Sequence, residues 1–363
     1  MACAVILTAI RIEYMAVRAH LSDLSEEIHS QGTVYERGKF SIDGQELEVG
    51  IVETGAGNSP AAIEAERAIA YFKPDVILFV GVAGGIKDVQ LGDVVAATKV
   101  YGYESGKVAE TFRPRPDVGL SNYNMIQRAK AEARKTDWLA RLSDSAKPNV
   151  FVAPIAAGEK VIANKKSDLF EFLQQSYGDA LAVEMEGRGI LQVAHANQQV
   201  SALIIRGISD LIDGKNMADK EGFQEVAAHH ASAFAFEVLG KFWLSRNQQS
   251  IDLENSGIHP KYTKFLADDF EERMKLQQIL IDYFNARQKP GEHLKSLVNI
   301  SQIQIDTAAI DYNLPVRELI PNFYPEILKS RDDFLLFLKI FQSHLLKGSD
   351  EQLFVNQIIA RMQ

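Results

Sequence analysis

Four acidic residues stand where apolar runs stop, and their placement is the first sign of chemistry in this chain. Glu13 follows the run Cys3–Ala9, Glu184 and Glu186 follow Ala180–Val183, and Asp210 closes Leu203-Ile204-Ile205-Arg206-Gly207-Ile208-Ser209-Asp210. Such runs read as strands buried on both faces, and in open α/β sheets ligands gather beyond the carboxyl ends of the strands. Any one of these acids alone reads as a helix N-cap or a solvated charge. Brought to one rim, carboxylates supply a general acid, a general base and a fixed negative charge. The set is the signal, not any member of it.

Two glycine turns accompany the acids. Thr54-Gly55-Ala56-Gly57-Asn58-Ser59-Pro60 joins a strand to a helix, and Gly81-Val82-Ala83-Gly84-Gly85 follows another strand. Turns of this kind let a ligand approach the backbone and point helix N–H groups at it. A dinucleotide-binding reading fails, because Pro60 stands where the third glycine is needed. The acid it requires at the end of the following strand is also missing, Asp75 standing at the start of that strand. The single cysteine, Cys3, excludes an internal disulfide and a cysteine-cluster metal site. His20, His29, His195, His229 and His230 show no metal-ligand spacing with cysteine or acids, so the sequence calls for no metal and no cofactor.

The scaffold that must position these groups is legible as alternating strand and helix patterns. Strands are expected at Cys3–Ala9, Lys39–Ile42, Glu46–Glu53, Asp75–Val80, Val94–Thr98, Val150–Ala157 and Leu203–Ile208. Helices are expected at Glu13–Leu24, Pro60–Tyr71, after Glu186, and at Gly222–Trp243. This order predicts an α/β fold, a mostly parallel or mixed central sheet flanked by helices. After residue 246 the polar stretch Asn247-Gln248-Gln249-Ser250 reads as part of a linker, 247–258. Beyond it only helical periods remain: Lys264–Asn285, Glu292–Ile300, Ile303–Ile310, Pro315–Pro321, Arg331–Leu346 and Glu351–Met362. Residues 259–363 are thus expected to form a small all-α bundle, appended to a domain spanning 1–246.

Composition narrows the classes of partner. Hydrophobic residues make up 46% of the 363 and charged residues 24%, as in ordinary globular proteins. The formal net charge of −9 argues against a protein that coats nucleic acid or an anionic membrane. The run Ala4-Val5-Ile6-Leu7 is too short for a signal segment or a membrane span, and a cytoplasmic location is expected.

The segments Thr8–Glu13, Phe79–Gly85, Ala182–Gly187 and Val200–Asp210, in that order, resemble the nucleoside phosphorylase superfamily, and within it the methylthioadenosine/S-adenosylhomocysteine nucleosidase branch. The resemblance covers roughly residues 1–245, with Val183-Glu184-Met185-Glu186 and Arg206-x-Ile208-Ser209-Asp210 its most specific parts. It implies cleavage of the N-glycosidic bond of an adenine nucleoside or nucleotide. Asp210 would protonate the purine N7, Glu13 would orient or deprotonate water, and Glu186 would hold the ribose hydroxyls with Glu184 beside it. Met185 would pack on the sugar, Val161 and Ile162 would lie against the base, Ala83 and Gly84 would line the turn, and Phe223 would close over the substrate. The chemistry is coherent in itself, since an oxocarbenium-like sugar needs both an acid for the leaving base and nearby negative charge.

No arginine lies near the turn after Phe79, where family phosphorylases grip phosphate, so water is the expected nucleophile, with Arg11 near Glu13 the residue that keeps a phosphorylase alternative open. A catalytically silent nucleotide-binding signalling protein is a third reading, against which the complete acid set weighs. Lys107, Arg113 and Arg115 fall in a region where the nucleosidases are apolar and are candidate 5′-phosphate contacts, since guanidinium forks match phosphate geometry. Arg188 and Arg206 read as ion-pairing or intersubunit residues. The resemblance further implies a homo-oligomer built through the N-terminal domain. The appended helical module is similar to adaptors of bacterial conflict effectors, which implies a protein partner and a nucleotide-depleting role.

Overall fold

The computed structural model describes residues 3–110, 112–142, 146–197, 199–212, 222–255, 270–305 and 310–362. The chain divides into two compact units, Met1–Leu244 and Ser245–Gln363.

In the first unit β1 (Cys3–Thr8) leads into α1 (Arg11–Arg18), followed by β2 (Ser22–Ile28), β3 (Val34–Ile42) and β4 (Gln45–Glu53). Next come α2 (Asn58–Phe72), β5 (Val76–Gly85) and β6 (Val94–Gly102), a small ribbon of β7 (Gly106–Val108) with β8 (Phe112–Pro114), and β9 (Asp117–Leu120). The unit continues through α3 (Tyr123–Glu132), β10 (Val150–Ala157), α4 (Asp168–Ser176), β11 (Ala182–Glu184), α5 (Gly187–Ala196) and β12 (Ser201–Asp210). The helix α6 (Phe223–Asn255) follows.

The sheet is mixed, ordered β11-β10-β6-β12-β5-β1-β4-β3-β2, with β9 alongside β6. Its centre is buried on both faces, and alternate residues of one strand serve different cores. Val5, Leu7, Ile77, Phe79 and Ile204 pack on one side, while Ala4, Ile6, Leu78, Val80, Leu203 and Ile205 pack on the other. That is why these strands read as continuous apolar runs. The short β11 runs parallel to β10 and also antiparallel to β5, through Ala182↔Gly85 and Val183↔Gly84. This second pairing closes part of the sheet on itself and carries the residues after β11 across to the ends of β5 and β12.

Several boundaries differ from the sequence pattern. The helix expected over Glu13–Leu24 stops at Arg18, and Ser22–Ile28 pairs antiparallel with β3 instead. Asp23, with φ 51°, takes a left-handed conformation that a helix cannot hold. β3 begins at Val34 rather than Lys39. Of the linker expected at 247–258, residues up to Asn255 continue α6, for Asn247-Gln248-Gln249-Ser250 is polar but contains neither glycine nor proline to stop a helix. Residues 256–258 lie outside the described residues.

The second unit holds α7 (Phe270–Asn285), α8 (Pro290–Ser301), α9 (Val316–Ile327), α10 (Arg331–Ser343) and α11 (Asp350–Met362) around one core that includes Leu280, Phe284, Leu294, Phe323, Phe337 and Ile358. The helix expected over Lys264–Asn285 is described from Phe270 onward. α9 runs on past the expected end at Pro321, through Pro325 to Ile327, because Phe323, Tyr324 and Ile327 bury their side chains in that core. Ile303–Ile305 and Ile310 are not helical, residues 306–309 lying outside the described residues, yet Ile303 and Ile310 still feed the core. Among the described residues no helix is long and apolar enough to cross a membrane.

Candidate active site

A cleft of about 200 Å³ opens at the carboxyl ends of β1, β5, β11 and β12. It is lined by Glu13, Glu184, Glu186 and Asp210 together with Val82, Ala83 and Gly84, which are not the turn expected after a strand ending at Val80 but the last part of β5, paired there with β12. Each acid reaches it through a different local device. Glu13 stands in the first turn of α1, where its Oε2 accepts the backbone N–H groups of Ala9 (2.6 Å) and Ile10 (3.2 Å). Its other oxygen accepts the N–H of Val82 at 2.8 Å, tying β1 to the end of β5. Glu184 folds back to accept the N–H groups of Glu186 (3.0 Å) and Gly187 (2.8 Å), which turns the chain into α5. Glu186 is held by the N–H of Gly57 at 2.9 Å, a glycine whose φ of 108° favours a residue without a side chain. Asp210 accepts the Ser209 hydroxyl at 3.2 Å and the Ile212 N–H at 3.0 Å.

The three glutamates share one cation, Arg206, on β12, which is 0% exposed. Its Nη2 donates to Glu184 Oε2 (2.5 Å) and Glu186 Oε2 (3.0 Å), and Nη1 lies 3.8 Å from Glu13 Oε1. The guanidinium face rests on the Phe79 ring at 4.1 Å. Gly81 makes this possible, since a side-chain carbon there would overlap both Arg206 and Glu13. One guanidinium against three buried carboxylates leaves the pocket with excess negative charge. Burial pushes the Glu186 carboxyl up to about 7, Arg206 opposing that and Glu184 adding to it. Burial likewise raises Glu13, against the pull of Arg206 and three backbone donors. The pocket can therefore take up a proton near neutrality and still favour a cation bound above it.

Most residues singled out in the sequence meet here: Glu13, Ala83, Gly84, Val161, Ile162, Glu184, Met185, Glu186 and Asp210 all line the cleft. Lys107 and Arg113 do not. They sit opposite each other on the exposed β7–β8 ribbon, with Arg115 exposed just after it, because that segment pairs with itself rather than folding over the cleft. Phe223 is half-buried at the start of α6, and its neighbour Gln224 faces the cleft in its place. Arg11 is exposed and not part of the lining. Pattern reading passed over Ile10, Ala56, Lys160 and Ser209, which line the cleft, and assigned Arg206 to ion pairing without placing it in the site. A lone arginine inside the apolar run Leu203–Ile208 was the available signal, because a buried cation in a strand must have carboxylates waiting for it.

Residues 4–240 match the family model described as the phosphorylase superfamily. The 5′-methylthioadenosine/S-adenosylhomocysteine nucleosidase of Aeromonas salmonicida is 28% identical over 204 residues, covering 53% of this chain and 82% of the relative. The ATP nucleosidase Cap17 of Escherichia coli is 27% identical over 270 residues, 66% of this chain and 51% of that longer protein. Among solved structures, the Streptococcus pneumoniae methylthioadenosine/S-adenosylhomocysteine nucleosidase in complex with 8-aminoadenine superposes with a TM-score of 0.54 at 25% identity, over 66% of this chain and 99% of that one.

Proposed function

The chain belongs to the phosphorylase superfamily, and from that premise we propose that it hydrolyses the N-glycosidic bond of an adenine nucleoside or nucleotide, releasing adenine. The observation that carries the reading is the gathering of Glu13, Glu184 and Glu186 on buried Arg206, in one cleft with Asp210. Asp210 hands a proton to N7 of the base. The C1′–N9 bond breaks with its electrons passing into the purine, so that adenine leaves neutral. The sugar becomes cationic at C1′, and the negative excess around Arg206 stabilises it. Glu186 accepts from the ribose hydroxyls, Met185 packs on the sugar, and Val161 and Ile162 bound the base. Glu13 takes a proton from the attacking water as its oxygen bonds to C1′.

Water is the nucleophile that the lining supports. Arg11 is exposed and is not part of the lining, and no arginine is among the described residues that line the cleft. The test is a chromatographic screen in phosphate-free buffer for adenine released from adenosine, 5′-methylthioadenosine, AMP and ATP. Release that requires added phosphate, or no release at all, removes the hydrolase reading. The chain also assembles as a homo-oligomer through its first unit in this reading, supported by exposed Val118, Leu120 and Tyr123 beside a groove on α5. The helical unit, whose surface shows Leu346 and Leu353, recruits a protein partner that directs nucleotide depletion.

A further inference from the structure

The floor of the cleft is anionic, but its mouth carries a cation. Among the described residues that line the cleft, Lys160 alone is positively charged. Its side chain is 64% exposed and is ion-paired with Glu104. The turn that presents it is held from two sides. Asn58 donates to Gly158 O (3.3 Å) and Glu159 Oε1 (3.0 Å), which ties the turn to the start of α2. The Glu159 N–H donates to Glu104 at 3.2 Å, and the buried Tyr103 ring packs against Gly158 so closely that a side-chain carbon there would overlap it. Lys160 is thus exposed at its tip and fixed at its base. Ala56, beside the glycine whose N–H holds Glu186, lines the same cleft with a small side chain.

We propose that Lys160 and Glu104 form a charge gate that selects a substrate carrying a 5′-phosphate chain, an inference that rests on the cleft holding an adenine nucleoside. The three glutamates on the floor outnumber the one guanidinium among them, and the excess negative charge repels phosphate from the inner cleft, so an anionic chain lies at the mouth while base and sugar occupy the interior. With an uncharged 5′ group Lys160 stays on Glu104. A phosphate chain carries more charge than one carboxylate and draws the ammonium away, which leaves Glu104 with the Glu159 N–H and solvent.

The gate is tested by equilibrium binding of adenosine and of ATP at fixed ionic strength, in the Asp210→Asn protein so that the glycosidic bond survives the titration. Lys160→Ala is expected to lower the preference for ATP over adenosine about tenfold, the scale of one charge-assisted hydrogen bond at a half-open site. Glu104→Gln, which frees Lys160, is expected to raise that preference about threefold. Both changes are at exposed or partly exposed positions, where folding is little disturbed. A preference that neither variant moves, or that Glu104→Gln lowers, overturns the gate. If the preference shifts as expected while the parent protein releases no adenine, the hydrolase reading fails and the gate stands. If adenine is released and the preference is insensitive to both changes, the gate fails and the hydrolase reading stands.

Discussion

Replacing Arg206 by methionine removes the one guanidinium that three buried carboxylates share. The side chain is fully enclosed and pairs with Glu184 at 2.5 Å and Glu186 at 3.0 Å, with Glu13 at 3.8 Å. Losing one partner of a buried ion pair costs about 3–5 kcal/mol, because the remaining charge has neither water nor counter-ion. For a unit of this size each kcal/mol moves Tm by about 2–4 °C, so a fall of roughly 6–20 °C is expected. Both tryptophans, Trp138 and Trp243, lie in the unit that holds Arg206, so their fluorescence follows its unfolding. The pH dependence separates charge from lost packing on Phe79. Glu186 is near 7 in the folded chain against an ordinary value of 4.5, so its folded form holds a proton that the unfolded form has released. Its contribution to stability is full below about 4.5 and is lost as pH rises through 7. Without Arg206 that carboxyl moves higher still, and the deficit of the variant must therefore shrink near pH 5 and widen near pH 8.5. A deficit equal at both pH values, or smaller than about 2 °C, refutes the argument that charge holds this site together.

Further outcomes follow from the same geometry. Asp210→Asn, which keeps the shape and removes the acid, should lower kcat for adenine release by about 10²–10⁴-fold with little change in Tm, and full turnover would sink its role as proton donor. Because burial raises Glu13, kcat/KM should climb with pH along a limb lying above the ordinary carboxylate value of 4.5, and a flat profile down to that value would deny Glu13 the part of base. Gly81→Ala should displace Arg206 and Glu13 from each other, abolishing turnover while leaving circular dichroism near native; an active variant would show that their closeness is dispensable. Lys107→Ala and Arg113→Ala, on the outlying ribbon, should leave the KM for ATP within about twofold of the parent value.

Sequence alone determined the layout of the chain: which runs are buried strands, that helices alternate with them, that an all-helical unit follows, and that acids stand at strand ends. Those properties are local, because a strand covered on both faces must be apolar along its length and a helix repeats every 3.6 residues. The same local signals misread Ser22–Leu24 as helix, although these residues begin a strand whose state is set by pairing up to seventeen residues away, and they misread polar residues within α6 as a break. The four acids and Val161, Ile162, Met185, Ala83 and Gly84 are legible from motif and resemblance; Phe223 comes from the same resemblance but is not among the lining residues, and Lys107, Arg113 and Arg115, singled out as cations in a region where the nucleosidases are apolar, lie outside the lining as well. Only the tertiary structure decided that the acids converge, through the double pairing of β11 that brings Glu184 and Glu186 up to Gly84. It also decided that Arg206 holds three of them together and that Lys160 is the cation among the described residues of the lining. Charge type is written residue by residue, but the field in a pocket is a sum over distances and burial, and those exist only once the sheet has closed.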